Sequence, residues 1–71
     1  MIEQGDVYRV GPDCTLFGVA LMGGDTVHVE RVCYERRVID VRILFLGVSQ
    51  EVFAGGFLCL GDFATFSRLC A

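Results

Sequence analysis

The chain has 71 residues, a formal net charge of −3 and a composition that is 54% hydrophobic. Its six basic residues are all arginine, and it contains no Lys, Asn or Trp. These absences exclude a Walker phosphate loop, a lysine Schiff base and an N-glycosylation site. The uncharged runs at 14–24 and 52–61 are too short for a membrane-spanning helix, which needs about 20 apolar residues.

The first half of the chain reads as short strands between turn signals. Residues 6–10 predict a first strand, closed by a Gly-Pro-Asp turn. Residues 14–22 predict a second strand that is apolar on both faces, as expected when both faces are covered. After a Gly-Gly-Asp reversal, residues 26–34 predict a third strand. Its polar and apolar positions exchange faces after Glu30, which indicates a bulge or a strand that runs past the core edge.

The second half begins with a predicted hairpin loop at 35–37 and a clear fourth strand at 38–48. Residues 49–54 are ambiguous. They fit either a helical turn or one arm of a hairpin that reverses at the following Gly-Gly pair. Residues 57–60 predict a short apolar strand, and the spacing of aromatic residues in 63–70 predicts a short C-terminal helix.

Together these elements predict an all-β or β-dominated α+β fold. The expected architecture is a small antiparallel sheet or an SH3-like barrel of four to five strands with a short C-terminal helix. The segment 5–10, Gly-Asp-Val-Tyr-Arg-Val, resembles the opening strand of small SH3-like barrels. The length predicts a single small domain spanning residues 1–71. An acidic N-terminus without a basic leader predicts a cytoplasmic location with no membrane association.

The cysteines offer little chemistry because they are widely spaced and have apolar neighbours. No two of them form the close knuckle typical of zinc sites, so we expect buried, reduced thiols and no cofactor. Disulfides and a metal site remain alternatives. His28 lies five residues before Cys33, which would place the two on opposite faces of a flat strand and argues against a catalytic dyad. The four cysteines are Cys14, Cys33, Cys59 and Cys70.

An arginine-rich hairpin is the main candidate for partner recognition. Residues 30–42 hold four of the six arginines, but three acids in the same segment leave a net charge of only +1. Because nucleic-acid sites usually carry a larger basic excess, we favour a protein partner. A solvated hairpin tip without a function is the plainer alternative. The predicted partner-binding residues are Tyr34, Glu35, Arg36, Arg37, Asp40 and Arg42.

The hypothesis that follows is a small protein-interaction module that is not an enzyme and docks on a larger protein complex. One specific form is a phage or mobile-element accessory protein that inhibits a bacterial defence complex. A nucleic-acid-binding small barrel and a metal- or thiol-dependent protein are the alternatives. We also expect a homodimer or a tight hetero-complex, because the fourth strand becomes apolar on both faces at Leu44 and Leu46, the predicted oligomer interface.

Overall fold

The computed structural model describes residues 1–70, which form seven strands in two antiparallel sheets. The larger sheet has the strand order β6-β5-β4-β1-β7, and β2 and β3 form a separate hairpin. Within the described residues no helix is long and apolar enough to cross a membrane. The strands are β1 Val7–Arg9, β2 Cys14–Leu16, β3 Val19–Leu21, β4 Thr26–Cys33, β5 Val38–Leu44, β6 Glu51–Phe57 and β7 Ser67–Cys70.

The prediction of a strand-dominated, antiparallel fold is confirmed, but the finer architecture differs. The five-stranded sheet is open, with β6 and β7 at its edges, and does not close into a barrel. The predicted C-terminal helix is wrong, because residues 63–70 contain only the end of a 3₁₀ turn, Leu60–Phe63, followed by β7. A free edge of β1 offers β7 a ladder of backbone hydrogen bonds, which outweighs the helical spacing of the aromatic residues.

Those aromatic residues pack into the core without a helix. Phe63 lies edge-to-face against both Tyr8 and Phe66, with ring centroids 5.3 Å apart in each pair. The backbone N–H of Phe66 donates to the carbonyl of Phe63, which closes a tight turn that directs both rings inward. The i, i+3 spacing that predicted a helix is therefore a product of this turn.

The predicted second strand is a hairpin rather than one continuous strand. It divides at Phe17 and Gly18, whose φ angles of 50° and 78° define a type I′ turn. A phenylalanine in the left-handed region is strained, and its ring explains why it is kept there. A Cβ built on Gly56 would lie 2.5 Å from Cδ1 of Phe17, so the ring occupies the space that this glycine leaves open.

The bulge predicted in the third strand is confirmed at Glu30. The register between β4 and β5 shifts between Val29 and Arg31, so that Val29 and Val32 both face the core. The shift also overturns the earlier argument about His28 and Cys33. Both side chains lie on the face away from the core, although five residues of strand separate their Cα atoms by roughly 15 Å.

The last third of the chain was predicted least well. The fourth strand ends at Leu44 rather than Val48, and neither alternative for residues 49–54 is correct. Residues 51–54 instead form the first part of β6, which continues through Gly55 and Gly56 to Phe57. Of the predicted strand at 57–60, only Phe57 belongs to a strand, and the chain then forms a loop that leads to the 3₁₀ turn. Glycine is found in mid-strand because neighbouring side chains fill its space: a Cβ on Gly55 would lie 2.6 Å from Oδ1 of Asp40.

One cluster of buried side chains lies between the five-stranded sheet and the β2–β3 hairpin. Two buried carboxylates, Asp6 and Asp25, accept hydrogen bonds from the segments around this cluster. Asp6 accepts hydrogen bonds from the Glu3 N–H and the Arg68 guanidinium, at 2.9 and 3.1 Å. Asp25 accepts the N–H groups of Met22 and Leu46, at 2.8 and 2.9 Å. The second carboxylate thereby joins the turn before β4 to the loop between β5 and β6.

Candidate interaction surface

The five-stranded sheet has one face against the core and one face toward solvent, which we call the outer face. Strict alternation in β5 and β6, and the bulge in β4, determine which side chains it presents. On these three strands the outer face consists of Thr26, His28, Glu30, Arg31, Cys33, Val38, Asp40, Arg42, Leu44, Glu51, Phe53, Gly55 and Phe57.

Ion pairs order the charged part of this face. Arg31 binds Asp40 through both Nε and Nη2, at 3.1 and 2.8 Å from Oδ2. Arg42 bridges Glu30 and Glu51, with distances of 3.1 and 3.2 Å. The hydrogen bond to Glu51 is the main reason that the pKa of Arg42 is raised. Exposed pairs such as these add little stability, so their main effect is to hold the charges in a defined arrangement.

A shallow groove crosses the outer face. One half, of about 580 Å³, is bounded by Glu30, Phe53 and Gly55, and the other, of about 310 Å³, by Arg36 and Val38. Both halves are lined by Arg31 and Asp40, so the two depressions adjoin at this ion pair. We call the two depressions together the outer groove. Its complete lining is Glu30, Arg31, Cys33, Arg36, Val38, Asp40, Val41, Phe53, Ala54 and Gly55.

The predicted partner-binding residues fall into different surroundings. Arg36 and Asp40 both line the outer groove. Tyr34 is 42% exposed, and its hydroxyl donates to the carbonyl of Ile2, so it tethers the N-terminal segment. Arg37 has a φ of 55° at the end of the hairpin turn. The two remaining predicted residues are the exposed Glu35 and the paired Arg42.

The two predicted interface leucines occupy different positions. Leu44 is half-buried at the end of β5, and Leu46 is 72% exposed in the following loop. The sequence reading missed two more exposed apolar side chains, Phe53 and Phe57, which are 66% and 78% exposed on β6. They were missed because a turn at the Gly-Gly pair would place Phe53 and Phe57 in different elements. A two-residue period that continues from Glu51 through Phe57 was the signal that could have revealed them.

His28 lies near the middle of the outer face, opposite Arg42 in β5 and Val7 in β1. Burial lowers its pKa, the nearby Arg42 charge lowers it further, and the two glutamates beside Arg42 act in the opposite direction. The imidazole is therefore neutral at pH 7. The distance to Cys33 leaves it without a thiol partner on this face.

The described thiols form no disulfide with one another. Cys14 and Cys33 are half-buried, whereas Cys59 is exposed, so the expectation of burial is wrong for Cys59. Burial raises the pKa of the Cys14 thiol, which makes it a poor nucleophile at neutral pH. Within residues 1–70 as described, no three potential ligands cluster in a way that could hold a metal ion. The prediction for the Cys70 side chain lies outside the described part of the chain.

Comparison with known proteins found no matching family model, curated protein or solved structure. The inference of function therefore depends on the chemistry of the outer face.

Proposed function

We propose that this chain is a non-catalytic protein-interaction module. It recognises a protein partner through the outer groove and the adjoining hairpin tip, which is the loop at 35–37 between β4 and β5. The observation that supports the proposal is the composition of the groove. It is lined by two arginines and two acids beside apolar surface from Phe53 and Val38; the charged residues are Arg31, Arg36, Glu30 and Asp40.

Such a surface suits a partner that itself carries both charges around an apolar side chain. Arg36 supplies a guanidinium fork for a partner carboxylate, and Glu30 and Asp40 supply acceptors for partner cations. The aromatic ring of Phe53 supplies contact area of the kind that dominates binding energy at protein interfaces. The acids in the groove and the overall charge of −3 disfavour a polyanion, so a nucleic-acid ligand receives less support.

A phage or mobile-element protein that inhibits a bacterial defence complex remains one specific form of this proposal. The support for this form comes from chain size and composition alone. The residues of the groove do not indicate which protein is the partner. The cytoplasmic location that this form requires likewise stays a prediction.

The test is affinity capture from the native host followed by calorimetry with the purified partner. Replacing Arg36 and Arg37 together by Ala should weaken binding by about 30-fold or more if either residue is an energetic anchor. Arg9→Ala is the matched control, since Arg9 is an exposed arginine on β1 outside the groove. Equal affinities for the double variant and the parent would contradict the role of the hairpin tip. Binding to oligonucleotides that falls steeply with salt would favour the nucleic-acid alternative.

A further inference from the structure

The free edge of β6 carries a row of backbone N–H and C=O groups that have no partner within residues 1–70. The N–H of Leu58 donates to the carbonyl of Arg37 at 2.8 Å, which makes residues 37 and 58 a hydrogen-bonded pair. Every second pair of the β5–β6 ladder repeats this arrangement, so Val52, Ala54 and Gly56 bond to β5. The N–H and C=O groups that point away from the sheet belong to Glu51, Phe53, Gly55 and Phe57.

This edge lacks the features that normally prevent pairing between sheets. The opposite edge, β7, has only four residues and includes Arg68. In contrast, β6 has seven residues, no Pro, no Lys and one charged side chain, Glu51. Long apolar edges of this kind are templates for another strand, and natural proteins protect them when they do not use them.

We propose that the edge binds a second copy of this chain, with the two β6 strands antiparallel about a two-fold axis. The two five-stranded sheets would then form one continuous sheet. In the register that uses every free group, residue 51 faces residue 57 of the second copy, and residue 53 faces residue 55. Each of these four pairs is of the hydrogen-bonded type, so none of the outward backbone groups is left unpaired.

Side chains on β6 are complementary in the same register. Phe53 faces Gly55 of the second copy, so the ring would lie over the backbone of that glycine, beside the Asp40 carboxylate that fills the position of its missing Cβ. Glu51 faces Phe57 of the second copy, so the two copies of Glu51 lie at opposite ends of the interface and do not repel each other. A second copy therefore fits this edge without burying an unpaired charge.

The apolar area exposed on β6 indicates how tightly the two copies should bind. Taking about 200 Å² for a phenylalanine side chain, the exposed fractions of 66% and 78% amount to about 580 Å² over the four rings of a dimer. A standard stable interface buries roughly 1,200–2,000 Å² in total, so the rings supply less than half of it. We therefore expect a reversible dimer with a dissociation constant in the micromolar range. Because the axis is perpendicular to the sheet, both outer grooves would open on the same side.

The test is sedimentation velocity of the full chain over about 5 to 500 µM. We expect concentration-dependent dimerisation, and Phe53→Pro should abolish it. Proline removes an N–H that points outward and leaves the bonds to β5 intact, as edge strands permit. Leu46→Glu separates this edge from Leu44 and Leu46, the interface expected from the sequence. It places a charge on an equally exposed apolar residue outside β6 and should leave the dimer unchanged if β6 forms the interface.

A second pair of variants tests the register and does not depend on the folding of the proline variant. Phe57→Glu would face Glu51 of the second copy and should weaken the dimer by about tenfold or more. Phe57→Lys would face the same acid and should retain dimerisation. A wild-type chain that stays monomeric at the highest concentration overturns the proposal. So does a dimer that Leu46→Glu dissociates and Phe57→Glu does not.

The same variant separates this proposal from the proposed function, because Phe57 does not line the outer groove. Phe57→Glu should lose the dimer and keep an unchanged 1:1 affinity for the protein partner.

Discussion

Replacing the buried Asp25 by Ala should strongly destabilise the fold. Asp25 is 4% exposed, and its two oxygens each accept one backbone N–H, from Met22 and Leu46. Without the carboxylate both N–H groups lose their acceptor. The loop that leads into β6 would also lose its bond to the turn before β4.

The magnitude follows from the two orphaned donors. Leaving one part-buried donor unsatisfied costs about 1–3 kcal/mol, so two of them predict a loss of about 3 kcal/mol after local relaxation. This is a large share of the free energy of unfolding for a small domain, which is roughly 5 kcal/mol at the low end of the usual range. With a urea dependence of about 1 kcal/mol per M, the unfolding midpoint should fall by about 3 M.

Urea unfolding followed by circular dichroism measures this effect. Asp25→Asn should fall between the parent and the alanine variant, because one amide oxygen can still accept one of the two N–H groups. Asp13→Ala is the matched control: its carboxylate accepts the N–H of Gly23 at an exposed site and should cost about 1 kcal/mol or less. If the Asp25 and Asp13 variants unfold at the same urea concentration, the buried carboxylate does not join the two turns as argued.

Two further predictions concern the packing of the hairpin and the titration of the outer face. Gly56→Ala should destabilise the protein by about 1–3 kcal/mol, because its Cβ would displace the Phe17 ring, and Phe17→Ala should reduce that penalty in a double-mutant cycle measured by urea unfolding. His28 has a lowered pKa in the folded state, so the unfolded chain takes up its proton first as the pH falls below about 6.5, and stability should decrease. His28→Gln should lose less stability than the parent between pH 7.5 and pH 5; an identical loss in both proteins would mean that another group titrates.

Local patterning predicted the features that depend on a few neighbouring residues. The bulge at Glu30 follows from the exchange of faces along one strand, and the hairpin loop at 35–37 follows from a polar segment between two apolar runs. The hairpin loop predicts an exposed Arg36, and alternation along the fourth strand predicts an outward Asp40; both residues line the outer groove. The conformation of residues 49–57 could not be read in this way, because Gly55 and Gly56 satisfy a turn and a covered strand equally well.

The class of fold follows from two-residue periodicity and turn residues, because these act within a strand or hairpin and need no distant partner. Long-range contacts determine which strands lie at the edges, and they make residues 67–70 join the sheet rather than form a helix. The ring of Phe17 and the carboxylate of Asp40 make Gly55 and Gly56 parts of a strand, and no local pattern records contacts between residues so far apart in the chain. The free edge of β6 and the outer groove exist because such long-range contacts select one arrangement among several that local propensity permits.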